Sequence, residues 1–160
     1  MGTVAERMAE LGIELPPVAA PLAAYVPAVR AGSLVFTAGQ LPLRDGTLLA
    51  TGTVGLDVDV ETAAACARQC ALNALAAVDD VLGGLDSVLR VVKVVGFVAA
   101  EPSFAEHPAV VNGASTLLAE VLGDAGVHAR SAVGVSSLPL GAPVEVELVV
   151  QVAAGVVEAG

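Results

Sequence analysis

From Val60 to about Leu82 the sequence repeats Ala, Leu and Val at helical spacing. Asp59 precedes the run as a cap for the first turn, Glu61 sits at the positive end of the helix dipole, and Gly83-Gly84 stops it. The pattern predicts one long amphipathic helix. The next segment, SVLRVVKVVGFVAA over residues 87–100, is β-branched and apolar at both alternating sets of positions except Arg90 and Lys93. It therefore predicts a strand covered on both sheet faces, with helices covering one side and a second subunit the other. A second helix is expected from about Pro108, a first-turn residue, to Gly123, with Gly113 weakening its early part. Two strands follow in ARSAVGVSS and PVEVELVVQV, separated by LPLGA. The last alternates cleanly, placing Val144, Val146, Leu148 and Val150 on one face and Glu145, Glu147 and Gln151 on the other.

The amino-terminal part is less periodic. A short amphipathic helix is expected over about residues 3–11, followed by an extended arm through Pro16, Pro17 and Pro21, because proline removes backbone donors. In YVPAVRAGSLVFTAGQLP two strand-like runs are hinged at Ala31-Gly32-Ser33. Val35 and Thr37 oppose Leu34, Phe36 and Ala38 there, as in a hairpin. Asp45-Gly46 is a strong turn signal. The order is hairpin, helix, strand, helix, strand, strand. It reads as an α+β fold, a mixed α/β layer with two helices on one face of a single mixed sheet. No repeat or internal linker divides residues 1–160, so one domain is expected, with residues 1–24 as its helix and arm.

Composition narrows the function. The 160 residues carry 7 Lys and Arg against 17 Asp and Glu, a net charge of −10, and 56% of positions are apolar. Such a charge repels phosphate backbones, and with one Tyr, three Phe and no Trp there is little on which bases could stack, so no nucleic-acid partner is expected. No run approaches the roughly 18 apolar residues of a membrane span, so no membrane partner is expected. Glu6 and Glu10 sit where a signal peptide would be uncharged, and Glu6 also breaks the myristoylation pattern begun by Met1-Gly2, so a cytoplasmic location is expected. Cys66 and Cys70, four apart on a helix, have the spacing of half a metal site but no second His/Cys pair near them, and read as small core residues. Neither a metal nor a cofactor is expected. His107 and His128 each flank the end of an element, and His107 between Glu106 and Pro108 fits a helix entry better than a proton shuttle.

One residue stands out chemically. Arg130 opens a strand among the small residues Ala129, Ser131 and Ala132, which leave room for a ligand beside a planar guanidinium suited to bidentate capture of a small carboxylate. The plainer alternative is a strand-edge arginine in water or in a salt bridge. Glu145 and Glu147 are the matching acidic candidates, or else one solvated strand face.

TAGQLP preceded by YVPAVRAGSLVF, and ARSAVGVSSLPLGAPVEVEL near the end, resemble the RidA/YjgF family of reactive-intermediate deaminases, also labelled L-PSP endoribonucleases. The likeness spans about residues 25–152. It implies a chorismate-mutase-like fold, a homotrimer with clefts between subunits, and hydrolysis of short-lived 2-imino or enamine acids without a cofactor, the partner molecule being a small carboxylate-bearing metabolite. The family's carboxylate-binding arginine falls on Arg130 and its water-positioning glutamate on Glu145. Its pocket tyrosine falls on Tyr25, and the glycine whose backbone faces the ligand on Gly39. Two positions depart from the family: its usual serine is Ala38 and its usual cysteine is Ala132, which implies a wider, more apolar site in a side branch of the family. The family's asparagine is not assigned, because the segment between Asn112 and Arg130 differs in length. A simple hairpin about Leu140 would put Arg130 and Glu145 about five residues, or ~16 Å, out of register, so a shared site is expected at an interface between two chains. Three functions follow for weighing: imine hydrolysis, non-catalytic binding of a small carboxylate in the same clefts, and the ribonuclease of the older label, which the net charge disfavours.

Overall fold

The computed structural model describes residues 2–18, 20 and 23–154. Three helices, α1 (Val4–Leu11), α2 (Val60–Leu82) and α3 (His107–Leu122), accompany seven strands: β1 (Ala28–Ala31), β2 (Leu34–Thr37), β3 (Leu43–Arg44), β4 (Thr47–Leu48), β5 (Val88–Ala99), β6 (Ala129–Val135) and β7 (Val144–Val152). The main sheet has the order β1-β2-β7-β5-β6, and β3 and β4 form a separate ribbon. Among the main-sheet pairs only β5 and β6 run parallel, joined by the crossover through α3 that parallel strands require. This is the mixed α+β architecture expected from the sequence.

Local chemistry sets the ends of the helices. Thr3 and Glu6 make a reciprocal capping box at the start of α1, whose Val4 amide also donates to Asp86 at 2.7 Å. Asp59 accepts from the Thr62 amide at 2.7 Å and α2 stops at Gly83, as the sequence predicts. The expected turn at Asp45-Gly46 closes the β3–β4 ribbon. Both residues have positive φ, 52° and 78°, the backbone that a two-residue hairpin turn demands. Of the arm's prolines, Pro16 and Pro17 follow α1 without regular structure and line a groove with Leu43, Asp45 and Asn73, while Pro21 lies outside the described residues.

Helices α2 and α3 cover one face of the sheet. Val35 of β2, Val91, Val94 and Val98 of β5, and Val144, Val146, Leu148 and Val150 of β7 are buried beneath them. Cys66 and Cys70 belong to this core; burial pushes both thiols up, and the Cys70 thiol rests 3.6 Å from the Val144 carbonyl. Polar groups stitch α2 to the preceding loop: Asn73 donates to the Leu41 and Leu43 carbonyls at 2.9 Å each, and Gln69 accepts from Arg44 while donating to Asn73.

One sequence expectation changes, and another is met on the side that the chain itself supplies. Gly113 is not a weak point of α3. A Cβ there would lie 1.9 Å from the Ala64 carbonyl oxygen, so glycine is what lets α3 approach α2. The expectation that β5 is covered on both faces holds on the helix side alone within one chain. On the outer face Val95 and Phe97 are half-buried, and Val29, Phe36 and Val133 are exposed around them.

Candidate functional site

Strand register fixes which face each candidate occupies. Arg130 pairs with Val94, whose side chain is buried under the helices, so Arg130 points to the helix side at the free edge of β6. There α3 braces it. Nη1 donates to Asn112 Oδ1 at 2.8 Å and to Ser115 Oγ at 3.1 Å, and Nη2 donates to the Pro108 carbonyl at 3.4 Å. Asn112 and Ser115 are three apart on one helix, hence on one face. All three acceptors are neutral, and among the described residues no carboxylate forms an ion pair with this guanidinium. The contacts occupy both Nη1 hydrogens and one on Nη2. Among the described residues Nε makes no hydrogen bond and Nη2 keeps one hydrogen, which leaves two donors for an oxyanion. Ala132, two residues on along the same face, packs partly against the core and presents no polar atom. The strand-edge arginine weighed from sequence is thus a guanidinium held in place by neutral acceptors and not by a salt bridge.

Glu145 occupies the opposite face. It lies between buried Val144 and Val146 and pairs with Phe97 on the outer side of the sheet. The geometry around it comes from the sequence Thr37-Ala38-Gly39-Gln40. The β2–β7 ladder ends at Phe36–Val149 and resumes as the Gln40–Val146 bridge. Between them the chain bulges, and the Thr37 hydroxyl accepts the Leu148 amide at 2.9 Å in place of a backbone carbonyl. The bulge lays the Gly39 backbone on the Glu145 carboxylate so closely that a Cβ at 39 would fall 1.9 Å from Oε1. Ala38 is tied back by its amide to the Pro27 carbonyl at 2.7 Å, which holds the Tyr25 bend beside the same bulge, and Tyr25 itself is exposed. Ala38, Gly39 and Glu145 therefore belong to one neighbourhood, which Tyr25 joins through the chain two residues before Pro27, and Arg130 and Ala132 belong to another.

Burial raises the Glu145 carboxyl above the ordinary glutamate range, and the Glu147 charge on the same face adds to the shift. The sign for stability follows. The folded chain binds this proton more tightly than the unfolded chain, so ionisation of Glu145 subtracts stability as pH rises from the ordinary value through the raised one. Glu145→Gln should therefore raise the melting temperature at pH 7 and lose that advantage below about pH 4. The gain is a few tenths to about 1 kcal/mol, because a half-exposed carboxyl keeps much of its solvent screening. Thermal unfolding of both chains at the two pH values checks it, and a mutant less stable at pH 7 would contradict it.

The structure also separates Arg130 from Glu145 more firmly than register alone predicts. β5 lies between β6 and β7. Their partners on β5, Val94 and Phe97, are three residues apart, so the two Cα atoms are about 14 Å apart across two strand spacings, with the side chains on opposite faces.

The family model described as YjgF/chorismate-mutase-like and labelled an endoribonuclease family matches residues 5–152. The chain belongs to the YjgF family. Protein TCP17 of Trypanosoma cruzi is 46% identical over 151 residues, 94% of each chain. The crystal structure of Atu1372 from Agrobacterium tumefaciens, a protein of unknown function, is also 46% identical, covers 94% of each chain and superposes with a TM-score of 0.87. YjgF of E. coli is 27% identical over 94% of this chain and 98% of its own, with a TM-score of 0.60. The chain thus superposes more closely on Atu1372 than on the E. coli protein. The arginine neighbourhood gathers residues to which the sequence assigned no part in a site, and one, Ser115, that it did not single out. Asn112, left unassigned there, touches Arg130 directly, and Ser115 and His128 complete the surroundings. The signals were present: His128 shares Arg130's side of an extended segment at a spacing of two, and Ser115 follows Asn112 by three on α3.

Proposed function

We propose that the protein hydrolyses reactive 2-imino or enamine acids to 2-keto acids and ammonia, in clefts where the β6 edge of one chain meets the outer sheet face of the next in a homotrimer. The observation that carries this reading is Arg130. A guanidinium braced by three neutral acceptors, with donors on Nε and Nη2 available, is an anion receptor prepared before the ligand arrives. The substrate carboxylate pairs with those donors. Glu145 of the neighbouring chain takes a proton from a water as its oxygen bonds to the C=N carbon, and passes that proton to the nitrogen to give a tetrahedral amino alcohol. On collapse the same carboxylate carries the hydroxyl proton to the nitrogen as the C=O bond forms and the C–N bond breaks, so ammonia leaves and Glu145 is again ionised. A carboxyl raised by burial and by Glu147 is a better proton acceptor than an ordinary glutamate, which supports Glu145 in this role. The apolar outer face supports the trimer, because Val29, Phe36 and Val133 need a cover that one chain does not provide. Tyr25 and the Gly39 backbone line the cleft beside the reacting carbon, with Ala38 and Ala132 as apolar wall.

The test couples a threonine dehydratase, or separately an amino-acid oxidase, to the purified protein and follows release of the keto acid. Wild type should accelerate release, and Arg130→Ala should lower kcat/KM by about a hundredfold or more, the scale of a lost charge-assisted pair. Equal rates with wild type and Arg130→Ala would reject the mechanism. One observation favours a second reading, a trimer that binds a small carboxylate without turnover. Ala38 and Ala132 remove a hydroxyl and a thiol, so Glu145 alone is available to activate water. A thermal shift with a 2-keto acid, together with no acceleration of any imine, would select that reading.

A further inference from the structure

Behind Arg130 lies a second layer that the proposed reaction does not use. His128 Nδ1 is 2.6 Å from the Gly126 carbonyl, and its Nε2 is 2.9 Å from Ser115 Oγ. A carbonyl only accepts, so Nδ1 carries the ring hydrogen in this contact and Nε2 of the neutral ring is an acceptor. The Ser115 hydroxyl must then donate to Nε2. That fixes its rotor and turns an oxygen lone pair toward Arg130 Nη1, 3.1 Å away. A serine hydroxyl free to rotate could instead point its hydrogen at the guanidinium. The chain has one consistent direction of donation, from Arg130 on β6 to Ser115 on α3, from Ser115 to His128 just before β6, and from His128 to the Gly126 carbonyl in the turn after α3.

We propose that His128, acting through Ser115, is a positioning residue that holds the Arg130 guanidinium with its Nε and Nη2 donors turned to the ligand carboxylate. Asn112 and Pro108 place the guanidinium, and the His128–Ser115 pair fixes its rotation by making one Nη1 hydrogen bond directional. The inference rests on the reading of Arg130 as a carboxylate receptor, so the experiment separates the two.

The probe is 2-oxobutanoate, whose dissociation constant is measured by calorimetry on wild type, Arg130→Ala, Ser115→Ala, His128→Leu and His128→Gln. Ser115→Ala and His128→Leu should weaken binding about tenfold, the scale of one directional hydrogen bond to a charged group, and His128→Gln, which keeps an acceptor near the Nε2 position, should restore most of it. In the imine assay the loss should fall on KM, with kcat changed less than about twofold. Independently of any variant, the ¹⁵N shifts of the His128 ring in wild type at pH 8 should report the Nδ1–H tautomer. Unchanged binding in Ser115→Ala and His128→Leu, while Arg130→Ala abolishes it, overturns the positioning role and leaves the carboxylate reading intact. An Nε2–H tautomer overturns the direction of the relay. If wild type does not bind 2-oxobutanoate, or Arg130→Ala binds it as well as wild type does, the carboxylate reading falls and this role falls with it.

Discussion

Chains carrying Arg130→Ala and chains carrying Glu145→Gln, each inactive alone, are expected to recover about a quarter of wild-type imine hydrolysis when unfolded and refolded together in equal amounts. The expectation follows from the sheet. Arg130 leaves the helix side of the β6 edge, whereas Glu145 leaves the outer face of β7, with β5 between them. One small ligand cannot reach both within a chain. In the proposed closed ring of three, every cleft would take its arginine from one copy and its glutamate from the next. A mixed cleft works when the arginine donor is a Glu145→Gln chain and the glutamate donor an Arg130→Ala chain, a chance of about one half for each. Keto-acid release from the mixture is the measurement. No recovery above the separate variants, in mixtures shown to be folded and associated, would place both groups' action within one chain or remove one of them from the reaction.

Gly113→Ala is expected to be the most damaging single methyl group in the core. Intrinsic preference favours alanine over glycine in a helix by about 1 kcal/mol, so a helix on its own would gain from the change. In the folded chain the added Cβ would sit 1.9 Å from the Ala64 carbonyl oxygen and 2.8 Å from its carbon. These are backbone atoms of α2, so no side-chain rotation relieves the clash and the two helices must move apart. We expect a net loss of about 2–3 kcal/mol, lowering the melting temperature by about 4–12 °C for a chain of this size. Differential scanning calorimetry checks it. A melting temperature equal to or above wild type would mean that α2 and α3 do not pack this closely.

Much of the framework was legible because it depends on local chemistry. The run from Val60, with Asp59 before it and Gly83 after it, forms a helix wherever it is placed, because capping and helical spacing act within a few residues. The alternation of β7 likewise sorts the valines from Glu145 and Glu147 before any partner strand is known. Arg130 and Glu145 stood out as well, one for its small neighbours and the other for its face. Strand register alone already put them too far apart to share one ligand within a chain, but did not say on which faces they lie. Their placement on opposite faces depends on β7 entering between β2 and β5, a pairing between segments more than forty residues apart that periodicity does not encode.

The same division holds at smaller scale. Asn112 carries no mark in the sequence to distinguish it from any exposed helical asparagine, and only the crossover from β5 through α3 to β6 brings its side chain to Arg130. Gly113 read as a weakness because propensity is a property of the isolated helix, and its use appeared only once a second helix lay against it. The charge, the apolar core and the positions of the elements were settled by the sequence alone, through short-range sterics and burial. The bulge that lays Gly39 on Glu145, the bracing of Arg130 and the separation of Arg130 from Glu145 were decided by tertiary structure, because each depends on distant segments meeting in one register.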